Sequence, residues 1–182
     1  TDKTLTLAFS SIGERLKITG QFVLLVGPRQ CQYNCISSKE QSDTHNLIEN
    51  TSVNVIILNN IGLSKSRNAA INNANSDYIW FLDDDVQITN QDINSALAII
   101  NENQANFYRI KIGCIDGTIK HSKTISSPRK LNLLQISSIE IIANLNFIKN
   151  KQLTFNENIG LGTKYQCNEE NNFLIDAWEH GA

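Results

Sequence analysis

The order of apolar runs predicts one α/β domain, with a central, mostly parallel mixed sheet flanked by helices. Two observations carry this. Continuous apolar stretches of strand length, residues 22–26 (FVLLV) and 78–82 (YIWFL), read as strands buried on both faces. Between and after them, apolar residues recur at helical spacing, so strand and helix alternate along the chain. A length of 182 residues suits a single domain over 1–182.

Taken in order, residues 4–9 (TLTLAF) alternate as a first strand. Gly27-Pro28 ends the second. A polar stretch over 30–46 reads as a loop, with a helix near 39–50, before a third strand at 53–58 (VNVIIL). Ser64 is the expected N-cap of a helix over 66–74, which carries Ala69, Ala70, Ile71 and Ala74. The fourth strand, 78–82, runs straight into Asp83-Asp84-Asp85. Thr89 or Asn90 caps the next helix, whose stripe is Ile93, Leu97 and Ile100. Another strand is expected over 106–112. Residues 115–132, with Lys120, His121, Lys123, Arg129 and Lys130, read as a long loop or a pair of short strands. The chain is apolar again over 137–147 and Gly-rich over 156–162 (NENIGLG). Asn168 caps a last helix over 169–180, with Phe173, Leu174, Ala177 and Trp178 inward and Gly181 at its end.

Composition narrows the function. The chain is 41% hydrophobic and 19% charged, as ordinary globular proteins are. A net charge of -2 and a pI near 5.9, without a basic block, argue against nucleic acid as a partner. No run approaches the roughly 18 apolar residues that span a bilayer, and no apolar segment follows a basic start. The expected location is therefore cytoplasmic, with peripheral association at the inner face of the membrane. Cys31, Cys35, Cys114 and Cys167 match no common zinc spacing and read as reduced thiols.

Three features carry chemistry. Adjacent carboxylates repel, and their pKa values rise without a cation nearby. Asp83-Asp84-Asp85 therefore points to a hard divalent ion bound through oxygen. It stands at the carboxyl end of a strand, where α/β sheets bind ligands. A surface turn uses one Asp, sometimes two. Next, Gly62-Leu63-Ser64-Lys65-Ser66-Arg67-Asn68 leads from a strand into a helix N-terminus, which suits an anion, and Arg67 offers a planar fork for phosphate. The plainer alternative is a solvated surface Arg. Last, Glu169-Glu170 opens the final helix just after Gly160-Leu161-Gly162. First-turn glutamates also simply complement a helix dipole.

Residues 62–88 (GLSKSRNAAINNANSDYIWFLDDDVQI) resemble inverting family-two glycosyltransferases of the GT-A fold, with their Gly-x-Ser-x-x-Arg-Asn helix and strand ending in aspartates. Residues 155–181 (FNENIGLGTKYQCNEENNFLIDAWEHG) resemble the same family's later block. The resemblance implies a Rossmann-like GT-A domain with a donor half at 1–112 and an acceptor and catalytic half at 113–182, cut short at its C-terminus. It implies a metal-dependent transfer of a sugar from a nucleotide-diphosphate sugar, a UDP-sugar first, to a glycan or lipid-linked acceptor hydroxyl in surface polysaccharide synthesis. Asp83 would face the donor and share a Mn²⁺ or Mg²⁺ with Asp85, and Asp84 falls between the two roles. Arg67 and Asn68 would bind the nucleotide end, and Glu170, or failing it Glu169, would be the catalytic base. A downstream His is a late metal ligand in some GT-A enzymes, which makes His180 a further candidate. The plain alternative is a surface His at a helix end.

The chain departs from the family at its second strand, which ends Leu25-Val26-Gly27-Pro28-Arg29-Gln30 where an aspartate usually reads the base, leaving Gln30 or Gln32 as substitutes. That departure keeps a second reading open: an inactive nucleotide-sugar-binding module or partner subunit. A nucleotidyltransferase is a third reading, but Ser10-Ser11-Ile12-Gly13-Glu14-Arg15 is a poor match to its phosphate loop.

Overall fold

Among the described residues, six strands join into one sheet: β1 (Leu5–Ile12), β2 (Gln21–Val26), β3 (Val53–Leu58), β4 (Tyr78–Asp83), β5 (Phe107–Arg109) and β6 (Ile141–Asn144). The computed structural model describes residues 2–12, 21–26, 53–114, 117–119 and 129–182. The expected helix near 39–50, Gln30, Gln32, Cys31, Cys35 and His121 lie outside the described residues.

The strand order is β3-β2-β1-β4-β6-β5. β1 and β4 pair in parallel, whereas β1–β2, β2–β3, β4–β6 and β5–β6 are antiparallel. Carried across the sheet, these pairings make β1, β3, β4 and β5 run one way and β2 and β6 the other. The sheet is mixed with most strands co-directional, as expected, but its hydrogen-bonded neighbours are mostly antiparallel. Each reversed strand sits between two co-directional ones, so β1–β4 is the one parallel pair among the described strands.

Among the described residues the helices are α1 (Leu63–Asn73), α2 (Asn90–Glu102), α3 (Lys130–Leu133), α4 (Leu145–Asn150) and α5 (Glu169–Glu179), with a 3₁₀ turn at Ser138–Glu140. The sheet divides the core in two. Alternation along β4 sends Ile79 and Phe81 to one side, against Ala70 and Ile71 of α1 and Phe173 and Ala177 of α5. It sends Tyr78, Trp80 and Leu82 to the other, against Ile93, Ala96 and Ile100 of α2. That is why 78–82 reads as an unbroken apolar run. No helix among the described residues is long and apolar enough to cross a membrane.

Thr89 caps α2 through a full capping box with Asp92. Two local expectations are corrected. Ser64 is not a cap: α1 starts at Leu63, and the Ser64 hydroxyl donates to the Ile159 carbonyl at 2.7 Å. Trp178 leaves the apolar stripe, with 37% of it exposed. Beyond β5, Gly113 bridges antiparallel to Ile119, so the expected strand over 106–112 ends early at Arg109.

Candidate active site

The register of the parallel pair sets the site. Ser10 of β1 lies opposite Asp83 of β4, so both strands end at one edge of the sheet. The backbone then turns, with the Val86 N–H donating to the Asp83 carbonyl at 3.2 Å, which splays the three aspartates. Ser11 donates its hydroxyl to the Asp84 carboxylate. Asp85 is exposed. β6 enters at the same edge, and the 3₁₀ turn before it brings in Ser138.

Arg67 lies at the centre. Its residue is 2% exposed. Nη1 donates to Glu169 Oε1 at 2.6 Å, and Nη2 donates to Ser138 Oγ at 2.6 Å and stands 3.6 Å from Asp83 Oδ1. The guanidinium carbon lies 5.4 Å from the centroid of the Phe155 ring, which stacks on Phe173 at 4.2 Å. The fork expected to face a donor phosphate is thus turned inward, onto a carboxylate. Asn68 is likewise engaged with the chain itself: its amide donates to the Phe155 carbonyl at 2.9 Å and accepts from the Phe155 N–H at 2.8 Å. Ser66 donates to Ser10 at 2.8 Å and ties α1 to β1.

The Gly-rich loop closes over the start of α1. Leu161 supplies its carbonyl to the Leu63 N–H at 3.0 Å, so the loop takes up a helix-terminal donor that an anion was expected to use. Gly160 has φ +101, and a Cβ there would fall 3.0 Å from Ser64 Oγ and 3.1 Å from Glu169 Cγ. Gly162 has φ +92, with its missing Cβ 3.3 Å from the Gly62 backbone. The two glycines let the loop, α1 and α5 meet.

α5 presents two unlike glutamates. Glu169 is buried and ion-paired with Arg67. Glu170 is half-buried, and its Oε2 is buried with no hydrogen-bond partner. Burial and the neighbouring Glu169 charge raise the Glu170 pKa above 4.5. Burial first, then the charges of Asp85, Asp84 and Glu169, hold Asp83 above 3.8 despite the opposing Arg67. His180 does not join them. It ends α5, with Nδ1 2.8 Å from the Asp176 carbonyl, and the eleven residues of the helix, about 16 Å of rise, separate it from the end where Glu169 pairs with Arg67.

Among the described residues, no three His, Cys, Asp or Glu side chains form a group that could hold a metal by itself. The fit to a divalent ion is of another kind. Mg²⁺-type sites commonly take one or two carboxylates, with water and substrate phosphates completing the shell. Asp83 and Asp85 supply that number, and burial first, then the neighbouring acids, raise the Asp83 pKa despite Arg67. Cys114 and Cys167 are free and exposed, away from any such role.

Sequence reasoning missed Ser138 and the Phe155 ring beneath the guanidinium. Nothing local marks either, whereas the Gly160-x-Gly162 pair was a visible sign of close backbone approach.

Residues 36–168 match the family model described as glycosyl transferase family 2. The Glu169-Glu170 pair follows directly after the matched span, so its role rests on geometry. No curated protein matches the chain. The solved structure of S. aureus TarS 1-349 in complex with UDP-GlcNAc is similar, at 22% identity over 65% of this chain and 34% of that one, with a TM-score of 0.50. TarS 1-349 alone matches at 21% identity over 64% and 35%, with a TM-score of 0.46. At this identity the likeness is one of fold. The chain spans about a third of the length of these structures.

Proposed function

From a chain that belongs to glycosyl transferase family 2, we propose an enzyme that moves a sugar from a nucleoside-diphosphate donor to an acceptor hydroxyl, inverting the anomeric centre. The observation that carries this reading is the pairing of unlike acids at one sheet edge. Asp83 and Asp85 follow the end of β4, where α/β sheets bind ligands, and Glu170, next to the Arg67-paired Glu169, keeps a buried oxygen without a hydrogen-bond partner.

The chemistry follows from those positions. A hydroxyl is a weak nucleophile until its proton is taken. Glu170, whose carboxyl pKa is raised by burial and the Glu169 charge, making it a stronger proton acceptor than an ordinary carboxylate, would take that proton as the acceptor oxygen bonds to the anomeric carbon. The anomeric carbon–oxygen bond breaks in the same step, and the nucleoside diphosphate leaves with the electron pair. Asp83 and Asp85 would hold a Mn²⁺ or Mg²⁺, which would supply Lewis-acid stabilisation of that leaving charge. Glu169 is committed to Arg67, which favours Glu170 of the pair. Residues 1–112 would then carry the donor and 113–182 the base.

The TarS structure contains UDP-GlcNAc, and a second one UDP, so uridine is the first nucleotide to try. A glycan or lipid-linked acceptor used at the membrane face, in surface polysaccharide synthesis, belongs to the same proposal. Calorimetric titration of UDP with and without Mn²⁺ tests it. Metal-dependent binding that disappears in Asp85→Ala is expected. If no nucleoside diphosphate binds with or without metal, the donor site is wrong.

A further inference from the structure

We propose that Arg67 is a positioning residue that locks the base-bearing helix α5 to the donor edge of the sheet, rather than a ligand of the donor. This rests on the proposed function and adds to it the part that joins its two halves.

A buried guanidinium is costly unless its donors are met. Here groups from two distant segments accept hydrogen bonds from it, and a third segment brings a charge close by. Glu169 lies 102 residues away in sequence and Ser138 lies 71 away, both held at 2.6 Å. The third, Asp83, stands at 3.6 Å, close enough for attraction but too far for a hydrogen bond. Arg67 therefore counterbalances Asp83 without using up its oxygens. Phe155, stacked on Phe173 of α5, forms a floor under the guanidinium and fixes its plane. Glu169 and Glu170 are neighbours in one helical turn. Fixing Glu169 fixes where Glu170 starts and leaves it as the uncommitted acid of the pair.

A planar fork is needed for this geometry. A lysine ammonium keeps the charge but is a single point, and it cannot meet Glu169 and Ser138 in the directions the guanidinium does. Misplacing a catalytic group by about 1 Å can cost on the order of 100-fold in rate.

The test uses Arg67→Lys and Ser138→Ala in the full chain. UDP affinity with Mn²⁺ is read by calorimetry, UDP release from a UDP-sugar by slow transfer to water or acceptor, and folding by thermal melting. Arg67→Lys is expected to bind UDP within about 3-fold of wild type while turnover at saturating donor falls about 100-fold. Ser138→Ala removes one anchor only. It should lower turnover about 5-fold with the donor KM unchanged, and it answers the question if the lysine variant fails to fold. A folded Arg67→Lys that turns over like wild type overturns the role, as does one whose donor KM rises while turnover at saturation holds, since that is how a donor ligand behaves. Unchanged turnover in Ser138→Ala beside a misfolded lysine variant also overturns it. A wild-type protein that neither binds nor releases UDP overturns the proposed function, and this role with it; an active wild type with an active Arg67→Lys overturns this role alone.

Discussion

The two ends of strand β4 carry aspartates in opposite circumstances. Asp77, just before the strand, accepts from the Thr4 N–H and the Thr4 hydroxyl, both at 2.9 Å, with Lys3 Nζ 3.7 Å away. Thr4 in turn accepts from the Asp77 N–H at 3.0 Å, and the Asp77 carbonyl takes the Leu145 N–H at 2.9 Å. Burial pushes the Asp77 carboxyl up, but the Thr4 hydrogen bonds and Lys3 outweigh it, and the group ends below 3.8. Asp83, the last residue of the strand, ends above 3.8, because burial and three neighbouring acids outweigh Arg67. One end closes its charge with local partners. The other gathers more negative charge than its own residues compensate. A fold that needed only stability would treat both ends as it treats Asp77. The burial and the acids gathered at the other end are what the proposed cation site would require.

The largest effects should separate the two ends by activity. Glu170→Gln keeps the size of the side chain and loses only the proton acceptor. It should bind UDP and Mn²⁺ as wild type does, while transfer falls at least about 100-fold, the usual scale for a lost general base. Asp77→Ala should leave the turnover of the folded enzyme unchanged. Transfer surviving in Glu170→Gln would move the base elsewhere, with Glu169 the next candidate. Turnover lost in a folded Asp77→Ala would show that the contrast between the ends is not one of function.

Stability should divide the same ends the other way. Asp77→Ala leaves the Thr4 N–H and hydroxyl without their acceptor, at a cost of about 1–2 kcal/mol. Asp83→Asn removes a charge that its surroundings oppose and keeps the shape, so without metal it should melt no lower than wild type. The check is thermal melting of both variants in chelator at neutral pH. A clearly less stable Asp83→Asn would mean that its attraction to Arg67 outweighs the repulsion from its neighbours.

This contrast was only half legible in the sequence. The three-aspartate run, the strand beneath it and the Thr89 cap all depend on residues close in sequence, and each was readable from period and residue type. Strand β3 falls on the expected residues for the same reason. Arg67 was read as a fork for the donor or a solvated charge, and Ser64 as a cap, because the partners the structure gives them, Glu169 and Ile159, come 102 and 95 residues later. Local periodicity holds no information about which distant carbonyl or carboxylate will arrive. The mostly antiparallel pairing was hidden likewise: strand period shows that a strand exists, and only its neighbours decide its direction. Glu169 and Glu170 look equivalent in sequence, and the buried guanidinium distinguishes them.

The smallest effect is the most direct measure of the contrast, since it reads the two carboxyls themselves. A carboxyl raised above 3.8 keeps its proton in the folded chain at a pH where the unfolded chain has released it. Stability is then lost as pH climbs from about 3.8 to the folded value. Asp83→Asn removes that loss. The melting temperature of Asp83→Asn minus that of wild type should therefore be near zero in acid and grow as pH rises through this interval. Asp77 has the opposite sign. Its contribution is present above about 3.8 and disappears as pH falls through its lowered folded value. The difference between Asp77→Ala and wild type should therefore be smallest in strong acid and become more negative as pH rises. The contribution of Glu170, itself raised, is common to each pair of proteins and cancels. Both series belong in chelator, because an ion bound only to the folded chain would add its own stabilisation. Mn²⁺ and UDP added together afterwards at neutral pH should lift wild type and Asp77→Ala, and leave Asp83→Asn nearly unmoved. Parallel pH trends in the two difference curves would show that the ends of β4 are electrostatically alike, and the reading of its far end as a cation site would lose its physical basis.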